Sequence, residues 1–412
     1  MGKKLNFLLM CGLGLAAAST AKASGYQLNE YSVTNLGRAF AGVGVVGDDY
    51  SAIAFNPAGM TLKGSGGQLG VSVVEMNSDT RGKLNLNGGG VIGDSPKGRL
   101  RLYKVLPHGF GQYKINDKAY VGLGVYSPFG LASKYNAYWF GANHGIRTEL
   151  EVVDVAASFA YKFTNQWSAG GAVIYRYVHG NLINTPSPLF PKSRNQMDLD
   201  GWGWAYNFGV MYEPVQDTRF GVAYRLNSGH TVKGKHKIKK LNPAVNGAYP
   251  AETTMTLPNQ LTLSAYHKLN SKFGLSGTAR WTKWDVFDDF VLHSQYNGGT
   301  TEIIPENWKN VWTFSAGVDY YYSPEWTFRF GVSTDPTPIK SPEFRTARIP
   351  DADRTWTTLG VSYKYNNMTF DVGYAHLFMK TAEIRNRNAV TTLNAKAVGL
   401  SNMYAIQFQY DF

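Results

Sequence analysis

Cysteine is almost missing: the one thiol of this 412-residue chain is Cys11, inside an N-terminal stretch that reads as a leader. Lys3-Lys4 is its positive end, Leu5 to Ala18 its apolar core and Ala21-Lys22-Ala23 its small-residue cleavage signature. Residues 1–23 are therefore read as a signal peptide, with Ser24 as the mature start. Met10, just before Cys11, is too large for a lipoprotein cleavage position. The exported chain then carries no thiol, which excludes disulfides and thiol catalysis. Long apolar runs are missing too. Beyond the leader no stretch approaches the roughly 18 to 20 consecutive apolar residues of a membrane helix. An exported chain that crosses a membrane without helices must close into a barrel, since only helices and barrels satisfy every backbone group in lipid.

Catalytic patterns are equally scarce. There is no G-x-S-x-G, no H-E-x-x-H and no G-x-x-x-x-G-K-[ST], and the eight histidines are scattered singly. We read the chain as a non-enzyme with no metal and no cofactor.

What is present points to strands. The composition includes 45 Gly, 26 Tyr, 22 Phe and 10 Trp, which favours strands, turns and aromatic girdles over helix bundles. Alternation is clearest at the C-terminus, where Tyr404, Ile406, Phe408, Tyr410 and Phe412 share one face and Ala405, Gln407, Gln409 and Asp411 the other. Trp326, Phe328, Phe330 and Val332 repeat the pattern, as do Phe370, Val372 and Tyr374, and Phe220, Val222 and Tyr224. Such runs place strands near 67–80, 99–114, 118–128, 147–163, 166–183, 198–213, 217–234, 253–268, 272–293, 305–322, 325–334, 353–366, 368–385 and 397–412. Outer loops are expected near 81–98, 129–146, 184–197, 235–252, 294–304, 335–352 and 386–396, with tight turns at the opposite end. The fold class is all-β: a 14-stranded antiparallel transmembrane β-barrel over residues 64–412. Its lumen is too wide for its own side chains to fill.

The segment from Ser24 to Met60 lacks a period of two and is rich in glycine and alanine. It is expected to plug the lumen as a small helical hatch over residues 24–63. Asp48-Asp49 can cap a short helix through Tyr50 to Phe55, which Asn56-Pro57 ends. SGYQLNEYS, LGRAFAG and the triplet Asn56, Pro57, Ala58 resemble the N-terminal hatch of the FadL family of outer-membrane long-chain fatty acid transporters. Further similarity lies in SPFGLASKY, in Thr256-Leu257-Pro258, in Tyr320-Tyr321-Tyr322 with the strand after it, and in Ile349-Pro350-Asp351 with Asp353-Arg354.

That resemblance implies a Gram-negative outer-membrane location and passive uptake of hydrophobic molecules, chiefly long-chain fatty acids, through a luminal pocket beside the hatch. It also implies lateral exit where the third strand kinks. Here Pro128 lacks an N–H and Gly130 tolerates unusual geometry, so the strand through Pro128, Phe129 and Gly130 loses ladder bonds; the plainer reading is that Pro128 ends the strand at the rim. Asn184 and Ile304 fall near the family's basic headgroup positions, which raises uncharged aromatic or aliphatic hydrocarbons as the alternative cargo. A general porin or an adhesin are the remaining classes. Leu189 and Phe190 offer an apolar landing patch in an outer loop.

Among inward positions, Arg176, Arg225 and Arg280 are candidate partners of a carboxylate headgroup. The plainer reading pairs each arginine, Arg329 included, with an acid such as Asp154, Asp319 or Asp371 or with a hatch carboxylate. Setting aside Lys3, Lys4 and Lys22 leaves 38 basic residues against 29 acidic. Lys233, Lys235, Lys237, Lys239 and Lys240 crowd one outer strand end, as a solvated loop or against outer-membrane lipid and lipopolysaccharide phosphates. Export rules out a nucleic acid partner, and a monomer is expected.

Overall fold

A computed structural model describes residues 25–412; the leader expected over residues 1–23 and its expected cleavage point lie outside the described residues. Fourteen strands follow one another around a ring. They are β1 (Gly66–Leu86), β2 (Gly98–Lys114), β3 (Ala119–Tyr126 and Gly130–Lys134), β4 (Arg147–Lys162), β5 (Trp167–Asn184), β6 (Arg194–Val215) and β7 (Thr218–Asn227 and Gly229–Lys239). The circuit continues with β8 (Gly247–Thr256 and Gln260–Lys268), β9 (Phe273–Thr282 and Asp289–Ser294), β10 (Thr300–Pro305 and Val311–Tyr321) and β11 (Trp326–Asp335). It ends with β12 (Arg354–Tyr365), β13 (Met368–Met379 and Ala382–Arg387) and β14 (Thr391–Asp411). Each pairs antiparallel with the next, and β14 pairs with β1 from Asp411↔Gly66 to Thr391↔Leu86, which closes the ring. Closure removes the open edges that lipid does not tolerate.

The period of two decides which side chains meet lipid. On β7 Phe220, Val222 and Tyr224 are exposed while Ala223 and Arg225 are buried; on β14 Tyr404, Ile406, Phe408 and Tyr410 are exposed while Gln407 and Gln409 are buried. The alternation expected from the sequence therefore holds, but the strands are taller than expected. β14 begins at Thr391 rather than near 397, β7 runs on to Lys239, and β3 resumes at Gly130 within what was expected to be loop. Hairpins keep pairing beyond the apolar belt because their polar faces cost nothing in water. The reading that Pro128 ends its strand is corrected accordingly: the strand bends there and continues.

Residues 25–63 pack against the inward faces of the strands. Ser32 caps α1 (Val33–Gly37) by accepting from the Asn35 N–H, and the side chain of Asn56 accepts from the Ala58 N–H at the head of a 3₁₀ turn, Pro57–Leu62. Half of the expected Asp48-Asp49 cap is made. The helix α2 is only Ala52–Phe55, and Ser51, the residue before it, makes no side-chain cap bond, but one oxygen of Asp49 accepts from the Ser51 N–H at 3.0 Å in the turn that leads into it. The other Asp49 oxygen accepts from the hydroxyls of Ser32 and Thr34, at 2.5 and 2.8 Å. Asp48 is drawn to Arg38 at 2.7 Å and to Arg329 of β11 at 2.9 Å, because a buried guanidinium needs a counter-charge more than a four-residue helix needs a cap.

Two glycines allow this close packing. A Cβ on Gly331 would come within 2.1 Å of the Arg38 carbonyl carbon, and one on Gly209 within 1.9 Å of the Asn56 side-chain oxygen. Between segment and wall, Arg38 also meets Asp319 of β10 at 3.0 Å.

At the outer end, residues 135–146 fold across the rim. Trp139 donates to the Gly145 carbonyl at 2.8 Å, and the Tyr135 hydroxyl donates to the Ala347 carbonyl at 3.0 Å. His144 lies between Asn386 and Thr391, and burial pushes its pKa down to about 4, so it is neutral at ordinary pH.

Replacing Arg38 by Ala would leave Asp319 and Asp48 to Arg329 alone, two carboxylates on one guanidinium, at a cost of roughly 3 kcal/mol. The expected outcome is a closed barrel with a loosened segment 25–63, seen as faster proteolysis within that segment while heat-modifiable gel mobility is retained.

Candidate functional site

The site begins where the wall is broken. β2 pairs with β3 from Lys114↔Tyr120 up to Gly109↔Val125 and no further, although β2 itself extends back to Gly98. On the other side β3 pairs with β4 through Tyr126↔Asp154, and pairing resumes at Gly130↔Glu151. Three residues of β3 thus oppose two of β4, which bends the strand. Ser127-Pro128-Phe129 is the reason: proline has no N–H for the ladder, and the bulge turns Phe129 inward, where it is fully buried.

The groups freed by the break are taken up from inside. The Leu28 N–H donates to the Pro128 carbonyl at 2.9 Å and the Gly130 N–H donates to the Tyr26 carbonyl at 3.0 Å, with Gln27 opposite Phe129 in an isolated antiparallel bridge. Three residues at the start of the described chain therefore act as a patch of strand. They are held at their own start by Asp351, which accepts from the Gly25 N–H at 3.2 Å and whose pKa burial raises to about 6.

Around that patch lies an apolar cage. Tyr26 packs edge-on against Trp284 with centroids 4.7 Å apart, Trp284 against Trp308 at 4.9 Å, and Phe129 against Trp284 at 6.2 Å. Leu257, Val178 and Ile339 belong to the same buried cluster. Two polar atoms in the cage, Tyr26 Oη and Trp284 Nε1, have no hydrogen-bond partner among the described residues.

Charge sits on the far side of Phe129. Arg176 binds Asp154 through two bonds of 2.6 and 2.8 Å and gives a third, at 2.6 Å, to Asn227. Arg225 binds the same carboxylate and the Tyr126 hydroxyl. Arg280 is different. Its partners among the described residues are neutral, Thr262 at 3.2 Å and Asn29 of the inner segment. It lines a cavity of about 20 Å³ together with Asn29, Phe40, Asp335 and Trp356, which is room for roughly one water.

Comparison with known proteins can now be set beside this geometry. Residues 14–412 match the family model for outer membrane protein transport protein (OMPP1/FadL/TodX). The chain belongs to the FadL family. Outer membrane protein P1 of Haemophilus influenzae is 28% identical over 462 residues, covering 100% of both chains. The long-chain fatty acid transport protein of Escherichia coli K12 is 27% identical over 450 residues, covering 97% of each. Among solved structures, a Pseudomonas aeruginosa FadL homologue superposes with a TM-score of 0.86 at 24% identity, covering 94% of this chain and 100% of that one. The Pseudomonas putida toluene transporter TodX gives 0.66 at 16%, covering 88% and 94%. This FadL-family member is thus an outer-membrane β-barrel transporter of hydrophobic compounds.

The residues singled out in the sequence fall into three groups. Pro128, Phe129 and Gly130 form the break itself, and Asn56, Pro57 and Ala58 the capped turn against β5 and β6. Arg176, Arg225 and Arg280 lie together behind Phe129, with Asp154 neutralising the first two. Asp319 pairs with Arg38 and Arg329, whereas Asp371 takes hydrogen bonds from Ser362, Gln407 and Gln409. Leu189 and Phe190 stand exposed in an outer loop, apart from the cage. Asn184 donates to the Asn143 carbonyl at 3.1 Å, and Ile304 is half-buried. The lysine cluster is partly spent on Glu252 and Asp198.

Sequence reasoning missed Tyr26, Trp284 and Trp308. A signal existed for Trp284: Trp281 and Trp284 are an odd number apart, so a regular strand cannot place both on one face, and the strand indeed stops at Thr282.

The two arginine environments separate experimentally. Arg280→Ala is expected to leave the barrel's thermal unfolding within a few degrees of the parent, as removal of a group with neutral partners should. Arg176→Ala leaves Arg225 to hold Asp154 alone and is expected to lower it clearly, by roughly 2–4 °C per kcal/mol lost.

Proposed function

We propose that this protein carries long-chain fatty acids passively across the outer membrane, and that cargo leaves sideways through the break in β3. The observation that carries the reading is the end of β2–β3 pairing at Gly109↔Val125, with the freed backbone groups taken up by residues 26–28 and only side-chain pairs, Lys104 with Glu149 and Glu151 at 3.3 and 3.4 Å, spanning β2 to β4 among the described residues. Residues 25–63 act in this reading as a hatch whose first residues are the movable part. Its body is tied to the wall through Arg38 and Asp319, while the patch holds through uncharged contacts: two backbone bonds, one bridge, the Thr282 hydroxyl on Gln27 and the packing of Tyr26.

A greasy cargo gives the route its direction. Each buried CH2 contributes about 0.8 kcal/mol, so a long acyl chain gains on the order of 10 kcal/mol on leaving water. The aromatic cage offers a first apolar station and the bilayer the final one; Leu189 and Phe190 offer a landing patch outside. No step needs an energy source, a cofactor or an enzymic group. Closure of the ring leaves no edge that would require a partner chain, in keeping with a monomer. A small-solute porin is not favoured, because residues such as Leu36, Val43, Tyr50 and Ile53 of the inner segment are buried against the inward faces of the strands.

Arg280 supplies the preference for a carboxylate. Arg176 and Arg225 share the Asp154 carboxylate while Arg280 bonds no carboxylate, so the three guanidinium groups are short of negative charge and a fatty acid headgroup would complete the set. A second reading, an uncharged hydrocarbon as cargo, is favoured by the aromatic and aliphatic side chains that make up most of the cage, with Glu306 bonded to Trp308 at its edge.

Two measurements test these points. With Arg280→Ala, oleate binding to the refolded protein is expected to weaken about tenfold relative to parent, while an uncharged hydrocarbon is unaffected; equal loss or no loss for both would leave the hydrocarbon reading in place. For the exit, Gln27→Cys with Phe129→Cys puts a cysteine on each side of a non-hydrogen-bonded bridge. Oxidation is expected to stop uptake and reduction to restore it. Uptake that continues in the oxidised protein would sink lateral exit at β3.

A further inference from the structure

The outer face of the barrel carries a feature that transport does not use. Across the outer ends of β13, β14 and β1, register sets Glu383 opposite Lys396 and Lys396 opposite Arg81. Like charges directly opposite each other on one sheet face are destabilising. Arg81 and Lys396 nevertheless share a row, with side chains 67% and 66% exposed. Glu383 reaches Lys396 at 2.8 Å, but the nearest carboxylate to Arg81 is Asp79 at 4.0 Å, and Asp79 is held more closely by Arg101 at 3.1 Å. Arg385, one step further out, meets Glu343 at 2.9 Å.

These side chains point away from the lumen, because Ala395 and Ala397 are the buried neighbours and Val398 and Leu400 are exposed immediately below Lys396. The row borders an open cleft of about 920 Å³ whose lining includes Asp79, Arg81, Pro342, Glu383, Arg385 and Lys396. Cations crowd the cleft at its head, and an apolar strip formed by Val398, Leu400 and Phe378 runs beneath it towards the membrane.

We propose that this cleft binds the phosphorylated headgroup of a glycolipid of the outer leaflet. Arg81 and Lys396 take a phosphate between them, which turns their mutual repulsion into shared attraction, and Arg385 takes a second. The sugar hydroxyls meet Asp79 and Glu383, and the acyl chains lie on the strip below. A bare phosphate would leave that strip and most of the cleft unused. A lipid with phosphate, sugar and acyl chains fits all three parts.

The test uses the full-length refolded protein in nanodiscs doped with bisphosphorylated lipid A or with the same lipid after phosphatase treatment, and counts retained lipid per barrel by native mass spectrometry. Arg81→Glu with Lys396→Glu is expected to reduce retention of the phosphorylated form about tenfold. Arg81→Gln, a milder change, is expected to give a smaller loss, and heat-modifiable gel mobility shows that both variants are folded. Lys235→Glu on β7 is expected to retain lipid like the parent. Equal retention by parent and double variant, equal retention of the dephosphorylated lipid, or a matching loss in Lys235→Glu would each overturn the site. Full displacement of lipid by inorganic phosphate would reduce it to a free-anion site and overturn it as a lipid site.

Discussion

In hydrocarbon an unpaired backbone N–H or C=O costs several kcal/mol, and nothing outside the protein can supply its partner. Most of this fold is one answer to that constraint: fourteen strands, each paired on both sides, with β14 returning to β1. Pro128 is where the answer fails locally. It removes a donor and bends β3, and the ladder to β2 ends at Val125. The chain repairs the damage with its own N-terminal residues, which give and take one hydrogen bond each at Pro128 and Gly130. A wall mended from the inside by two bonds differs physically from a wall woven from ladder pairs: it can be unmade without unmaking the barrel.

The inner segment shows the same contrast between what is fixed and what is only placed. Its body is tied by charge, since Arg38 and Asp319 are buried together and join Asp48 and Arg329 in one network of two cations and two carboxylates. It is also fitted by shape, against wall positions such as Gly331 that leave no room for a Cβ. Residues 26–28 carry no charge pair. They rest on aromatic contacts through Tyr26, on backbone bonds, on the fit of Leu28 over Gly130 and on one bond from the Thr282 hydroxyl to Gln27, next to the cage and on the other side of Phe129 from Arg176. The softest attachment of the segment therefore lies at the break in the wall, between an apolar station and a shell of guanidinium groups short of negative charge.

Much of this was legible in the sequence, and the rest was hidden for reasons that can be named. Alternation in Phe220-Gly-Val-Ala-Tyr sorts lipid-facing from inward residues because a strand has only two faces, and it placed Arg225 and Arg329 inward before any coordinates. Proline and glycine at 128 and 130 marked the bend. That β3 resumes beyond it was not legible, since Leu131-Ala-Ser-Lys has no strong alternation of its own and is held by Glu151 and its neighbours on β4. Nor could periodicity show that Asp154 serves two arginines while Arg280 has neutral partners, because that depends on which strands are neighbours across about seventy residues of chain. The Asp48 half of the expected Asp48-Asp49 cap failed for a related reason: its carboxylate went to distant charges on Arg38 and Arg329, while Asp49 kept the local bond to the Ser51 N–H. Trp284 and Trp308 sit where the alternation lapses, and a lapse announces an irregular segment without saying what it packs against.

The most direct test of the account is residue-resolved amide hydrogen exchange in bilayer-embedded protein, with and without a bound hydrophobic cargo. The N–H groups of Leu28 and Gly130 carry the mend and should lose protection when cargo binds, while neighbours in the intact β4–β5 ladder, such as Val155 and Tyr175, keep theirs. Unchanged protection of Leu28 and Gly130 under saturating cargo would contradict a wall that opens there.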